Sequence, residues 1–171
     1  MKKIKIVIDT SAWISIVRNG CANELAKVII ENDMTLLVCD ELMAELFDVF
    51  HRNKHYKKNY LYMDVFFDLL NNISIFVSIK RHRTFTGCED ANDNFLFDLA
   101  IQTHADIIVS RDDKVLATQT PPPTQVISYN EFRDMYSFDQ PPKLLNDKKP
   151  TQKSQGFLDW LKKDLAKFFK K

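Results

Sequence analysis

One stretch constrains this chain more than any other: Cys88 to Leu116, CEDANDNFLFDLAIQTHADIIVSRDDKVL. It opens with an acidic turn, Glu89, Asp90 and Asp93, and enters a helical pattern in which Phe95, Leu96, Leu99 and Ala100 are apolar. A polar break from Thr103 to Asp106 leads into a short apolar run, Ile107–Ile108–Val109, which stops at Ser110–Arg111–Asp112–Asp113. The reading is helix, loop and buried strand, with carboxylates at the helix start and just past the strand end. A second apolar run, Ile4 to Ile8, stops the same way, in Asp9–Thr10–Ser11. If both strands lie parallel in one sheet, Asp9 and Asp112 emerge at the same carboxyl edge, where open α/β sheets bind ligands. Carboxylates gathered there repel one another, and a divalent cation is their natural partner.

The rest of the chain alternates in the same manner. Thr10–Ser11 can cap a helix with Trp13, Ile14, Ile16 and Val17 facing inward. Asn19–Gly20 stops it, and Ala22 to Glu31 reads as a second helix. Thr35 to Cys39 is a buried strand, and Asp40 caps an amphipathic helix in which Glu41 and Glu45 share a face. A helix from Tyr62 to Asn71 and a strand from Ile73 to Ile79 follow, and Val126 to Ser128 is a short last strand before a helical turn, Glu131 to Met135. Asp40, Glu41, Glu89 and Asp98 read as caps or surface. The pattern predicts a three-layer α/β/α sandwich around a mainly parallel central sheet. Its expected extent is residues 1–140, followed by a polar linker, 141–155, and a basic amphipathic helix, 156–171.

Composition narrows the functional classes. Only 3 Gly and no GxGxxG or Walker-type run argue against a dinucleotide or P-loop site. Cys21, Cys39 and Cys88 are widely spaced and show neither a zinc pattern nor a disulfide framework, so reduced thiols are expected. The apolar run after the N-terminal lysines is too short for a signal peptide, and no stretch reaches membrane-spanning length, so a cytoplasmic location is expected. The net charge of +1 conceals an asymmetry: in residues 148–171 eight Lys against Asp159 and Asp164 give +6, leaving −5 for residues 1–147.

Four fragments together resemble the PIN domain, most closely bacterial PIN proteins often filed as toxins of toxin–antitoxin systems. Ile6–Val7–Ile8–Asp9–Thr10–Ser11 is similar to the family's opening motif, hydrophobic residues then Asp-Thr-Asn/Ser. Met43–Ala44–Glu45–Leu46 resembles its helical Glu-Leu element, and Asp90–Ala91–Asn92–Asp93–Asn94 its Asp-Pro-x-Asp-Asp/Asn motif. Ile108–Val109–Ser110–Arg111–Asp112 is similar to Ile-Val-Thr-Gly-Asp. The resemblance covers residues 4 to about 135. It implies a catalytic metal site of Asp9, Glu45, Asp93 and Asp112 holding Mg²⁺ or Mn²⁺, and a ribonuclease that hydrolyses RNA phosphodiester bonds with a metal-activated water. In that scheme Asp9 is central, Glu45 binds metal or orients the water, and Thr10 or Ser11 hydrogen-bonds a ligand carboxylate. Two departures stand out: Arg111 replaces the usual Gly, and Lys114 replaces a frequent Asp.

Basic residues suggest the partner. Arg52, Lys54, Lys57 and Lys58 alternate with Tyr56, Tyr60 and Tyr62, a mixture that suits single-stranded RNA; solvated surface is the competing reading. Arg81 and Arg83 extend this track, and Arg111 and Lys114 are further candidate RNA contacts beside the site. His51 and His55 lie four apart but lack a third ligand, and read as a helix face. The apolar side of the tail helix is expected to pack on the chain itself or on a second copy in a homodimer, rather than on a membrane. An antitoxin protein is a further partner implied by the resemblance. The opposing functional class is a PIN-like module that binds RNA or protein without cutting.

Overall fold

The short apolar runs pair side by side in one sheet. The structure, a computed structural model, describes residues 3–52, 60–80 and 84–137, with backbone alone for 60–65. In chain order its elements are β1 (Lys5–Ile8), α1 (Thr10–Arg18), α2 (Ala22–Glu31), β2 (Thr35–Val38), α3 (Asp40–Arg52), α4 (Tyr60–Ile73) and β3 (Ser74–Phe76). A 3₁₀ turn (Ala91–Asp93), α5 (Asn94–Thr103), β4 (Ile107–Ser110), α6 (Asp113–Leu116), β5 (Gln125–Ser128) and α7 (Tyr129–Met135) complete them. The strand order is β3-β2-β1-β4-β5, and every neighbouring pair is parallel. The α/β sandwich expected from the sequence is the fold observed.

Burial explains why the central strands are apolar throughout. Ile6, Val7, Ile8, Leu36, Ile108 and Val109 are fully buried, as strands covered on both faces must be. From β1 the chain winds through α1 and α2 to β2, then through α3 and α4 to β3, always towards one edge. It then crosses back to β4 and continues to β5 at the other edge. Right-handed crossovers taken in opposite directions set the first four helices on one face and α5 on the other. In agreement, α1 packs on α2 and α3, and α2 on α4, while α5 packs on β1 and β4. The winding reverses between β1 and β4. At such a reversal the two outgoing loops diverge and leave a crevice at the carboxyl ends of the strands.

Aromatic packing fixes the helices that frame this crevice. Phe66 of α4 meets Trp13 of α1 and Phe50 of α3 edge-on, each with ring centroids 5.5 Å apart. All three rings are buried. Such pairs contribute about 0.5–1.5 kcal/mol each beyond their burial, and here they hold α3 in register with α1.

Several local expectations change. The strand expected over 73–79 shrinks to Ser74–Phe76. At its start, α4 runs on through Ile73, because the Ser74 hydroxyl and the Asn72 amide donate to the carbonyls of Leu70 and Asp68 in its last turn. At its end, Gln102 of α5 draws the chain away from the sheet, donating to Ser78 O at 2.9 Å and accepting from Lys80 N at 2.8 Å. Asp98 is not on the surface. It is 3% exposed and accepts from the Thr84 hydroxyl at 2.5 Å and Phe85 N at 2.8 Å, tying the incoming loop to α5.

Cys21, Cys39 and Cys88 are free and buried. Burial pushes the Cys21 thiol up to about 11 and the Cys39 thiol up to about 12, so both stay protonated. Among the described residues no helix is long and apolar enough to cross a membrane. The expected linker and the C-terminal helix lie outside the described residues.

Candidate functional site

The register of β1 and β4 builds the centre of the site. Ile8 pairs with Val109, and the Asp9 amide donates to Val109 O at 2.9 Å. One step further along both strands, Asp9 therefore stands beside Ser110. The fully buried Ser110 hydroxyl donates to Asp9 Oδ2 at 2.6 Å, and the Ser11 hydroxyl donates to the same oxygen. Each hydroxyl also accepts a backbone N–H from the loop after β4: Ser110 Oγ from Asp112 at 2.9 Å, Ser11 Oγ from Arg111 at 3.0 Å. Two serines thus anchor one edge of a buried carboxylate and fasten the Asp112 loop to the start of α1.

Four aspartates here stand at helix starts, and they divide into two kinds. Asp90 caps the 3₁₀ turn by accepting from Asn92 N at 3.0 Å, and Asp112 caps α6 by accepting from Lys114 N at 2.8 Å. Asp9 and Asp93 occupy the cap positions of α1 and α5, yet neither side chain makes a capping hydrogen bond. An N-cap aspartate ordinarily contributes about 1 kcal/mol through such a bond. Asp9 spends its carboxylate on the two serines instead. The sequence suggested Thr10 or Ser11 as the cap of α1. In the structure Ser11 serves Asp9, and the Thr10 hydroxyl donates to Glu45 Oε2 at 2.9 Å, joining α3 to the site.

The carboxylates feel one another. Burial raises the pKa of Glu45; the Thr10 hydrogen bond opposes this, and the charges of Asp9 and Asp90 add to it. Asp93 is pushed up to about 6, first by burial and then by the charges of Asp9, Asp90, Glu45 and Asp112. The start of α5 ordinarily favours an anion, so repulsion and burial outweigh the helix dipole at Asp93. All four acids singled out from the sequence contribute to this field, together with Asp90, which the sequence placed in the same motif as Asp93 but not among the ligands.

Among the described residues no group of three or more His, Cys, Asp or Glu side chains is arranged to hold a metal ion. The donor chemistry nevertheless fits a hard cation. Asp9, Glu45, Asp93 and Asp112 offer carboxylate oxygens alone, and their mutual repulsion is what a bound cation relieves.

The other candidates are distributed around this core. Arg111 is exposed on the loop after β4, and its Nη1 donates to Ser15 Oγ at 2.5 Å. Its backbone is not left-handed, so the turn does not need the usual Gly. Lys114 Nζ lies 3.5 Å from Glu89 Oε1. Arg52 ends α3, largely exposed and paired with Asp48 at 2.6 Å. Lys54, Lys57, Lys58, Arg81 and Arg83 lie outside the described residues, as does His55. His51 stacks on Phe47 with centroids 3.7 Å apart. Sequence reading missed Ser110 and Ser15. Ser110 was findable, because aligning Ile6–Ile8 with Ile107–Val109 sets Asp9 opposite it.

The profile described as PIN domain matches residues 5–114, from β1 to the first turn of α6. No curated protein and no solved structure matches the chain. The matched span takes in every carboxylate of the cluster and both serines that hold Asp9. The chain belongs to the PIN domain family, whose members are generally nucleases that use divalent metals.

Proposed function

We propose that the chain is a metal-dependent endoribonuclease, with Mg²⁺ or Mn²⁺ held by Asp9, Glu45, Asp93 and Asp112. The observation that carries this reading is the convergence of carboxylates at the sheet edge: the charges of Asp9, Asp90, Glu45 and Asp112, added to burial, push Asp93 up to about 6. When bound, the cation supplies charge neutralisation at the attacked phosphate and acidifies a water.

The chain's own residues do the rest. Ser11 and Ser110 fix one carboxylate oxygen of Asp9 and leave the other for a ligand. Thr10 orients Glu45 in the same way. RNA is the proposed substrate, with basic residues around the crevice neutralising the strand. The toxin role, an antitoxin partner and a homodimer extend this proposal from the resemblance alone.

The test is cleavage of a labelled structured RNA in Mn²⁺ by wild type, Asp9→Asn and Asp93→Asn, with an EDTA control. Cutting that is lost in EDTA and reduced at least ~100-fold in both variants supports the assignment. RNA binding without cutting, unaltered by either substitution, would favour the binding module instead.

A further inference from the structure

Arg111 is one of the residues at which this chain departs from the family pattern, and its surroundings give it a use. It is held at two points along α1. Its amide donates to Ser11 Oγ at 3.0 Å, and its guanidinium Nη1 donates to Ser15 Oγ at 2.5 Å. Ser15 is itself 5% exposed and donates to Ser11 O at 3.2 Å, so the anchor is buried and rigid. Among the described residues Arg111 makes no ion pair, although Asp112 follows it directly and Asp9 is bound to the same Ser11 hydroxyl. Nor does its charge figure among the influences on Asp93 or Glu45. The guanidinium is seated on Ser15, a turn further along α1 than the Ser11 that holds Asp9.

A guanidinium carries five N–H donors in a planar fork. One of these donors is taken up by Ser15, and Arg111 is exposed, so others remain for a ligand. Planar, pre-oriented guanidinium suits a phosphate, which it binds through paired charge-assisted hydrogen bonds. We propose that Arg111 is a substrate-binding residue that grips a backbone phosphate next to the one attacked at the acidic cluster. It offsets the repulsion that a strand meets on approaching five carboxylates, while leaving those carboxylates free for a cation. This inference rests on the nuclease reading above.

The experiment compares wild type, Arg111→Gln, Arg111→Lys and Ser15→Ala, using a fluorescent single-stranded RNA 12-mer of mixed sequence. Gln removes the charge and, two bonds shorter, the Ser15 contact with it; Ser15→Ala removes that contact alone; Lys keeps the charge without the fork. Binding is followed by anisotropy in EDTA across salt concentrations. In Arg111→Gln the slope of log K against log salt should fall by about 0.7, the contribution of one phosphate contact on a single strand. Affinity should weaken about three- to tenfold, with an unchanged melting temperature. Arg111→Lys should keep the slope and lose part of the affinity, and Ser15→Ala should lie between wild type and Gln. In Mn²⁺, Arg111→Gln should raise KM while kcat stays near wild type.

An unchanged slope and affinity in Arg111→Gln, alongside normal cleavage by wild type, would overturn the role of Arg111 and leave the nuclease intact. A fall in melting temperature matching the loss of affinity would reduce Arg111 to a structural staple and also overturn it. Wild type that neither binds nor cuts the RNA would remove both readings.

Discussion

Asp93 is harder to ionise in the folded chain than in the unfolded one, because its pKa rises from the ordinary 3.8 to about 6. Between those values the folded state binds more protons, so this residue's contribution makes stability fall as pH rises from about 4 to about 6 and then level off. Asp93→Asn removes that loss. The variant should be flatter across this window and more stable at pH 7 by roughly 1 kcal/mol, since solvent screening reduces the ~1.4 kcal/mol per unit. Urea unfolding in EDTA at pH 4.5, 6 and 7.5 checks it; a variant with the same pH dependence as wild type would contradict it. Ser110→Ala takes a donor from Asp9 and an acceptor from the Asp112 amide. It should cost about 1–3 kcal/mol in the same unfolding assay. Asp9 and Asp112 stood out because each follows an apolar run, whereas Glu45, inside α3, and Asp93, at a helix start, were singled out through the resemblance of their motifs. Ser110 was within reach through the register that aligns Ile6–Ile8 with Ile107–Val109, whereas the burial of Asp98 was not, because the return of the incoming loop brings its partners Thr84 and Phe85 to it.

The helices and strands were read from hydrophobic runs, and where burial is continuous the reading held. Ile6–Ile8 and Ile107–Val109 are strands because neither offers a polar face. The edge strand β3 was misjudged in length. Its boundaries are set by side chains of other elements, Ser74 and Asn72 closing α4 and Gln102 reaching from α5, and apolar patterning carries no record of those bonds. The aromatic contacts among α1, α3 and α4 yield a prediction of their own. Phe66→Ala should destabilise the protein by about 3–5 kcal/mol, because it opens a cavity between Trp13 and Phe50. Thermal melts measure this directly. Loss of α3 packing should also weaken Mn²⁺ binding through Glu45, and a melt within 1 °C of wild type would show that α3 is held by other means.

What the molecule does follows from its winding. Sequence fragments separated by dozens of residues meet because β1 and β4 are parallel neighbours at the point where the direction of the chain reverses. Motif order and alternation were enough to anticipate that convergence, whereas the basic aromatic segment falls largely on residues 53–59 and 81–83, outside the described part. The central claim is that the converging carboxylates form a cation site. Calorimetric titration of Mn²⁺ at pH 6, in two buffers of different ionisation enthalpy, tests it on wild type, Asp9→Asn and Asp93→Asn. Wild type should bind with release of about half a proton from Asp93, which is about half protonated at this pH and must ionise to become a ligand. Asp93→Asn should bind at least ~10-fold more weakly without that proton, and Asp9→Asn should show the greater loss of affinity. Absence of binding by wild type, or equal affinity and proton release in all three proteins, would contradict the account.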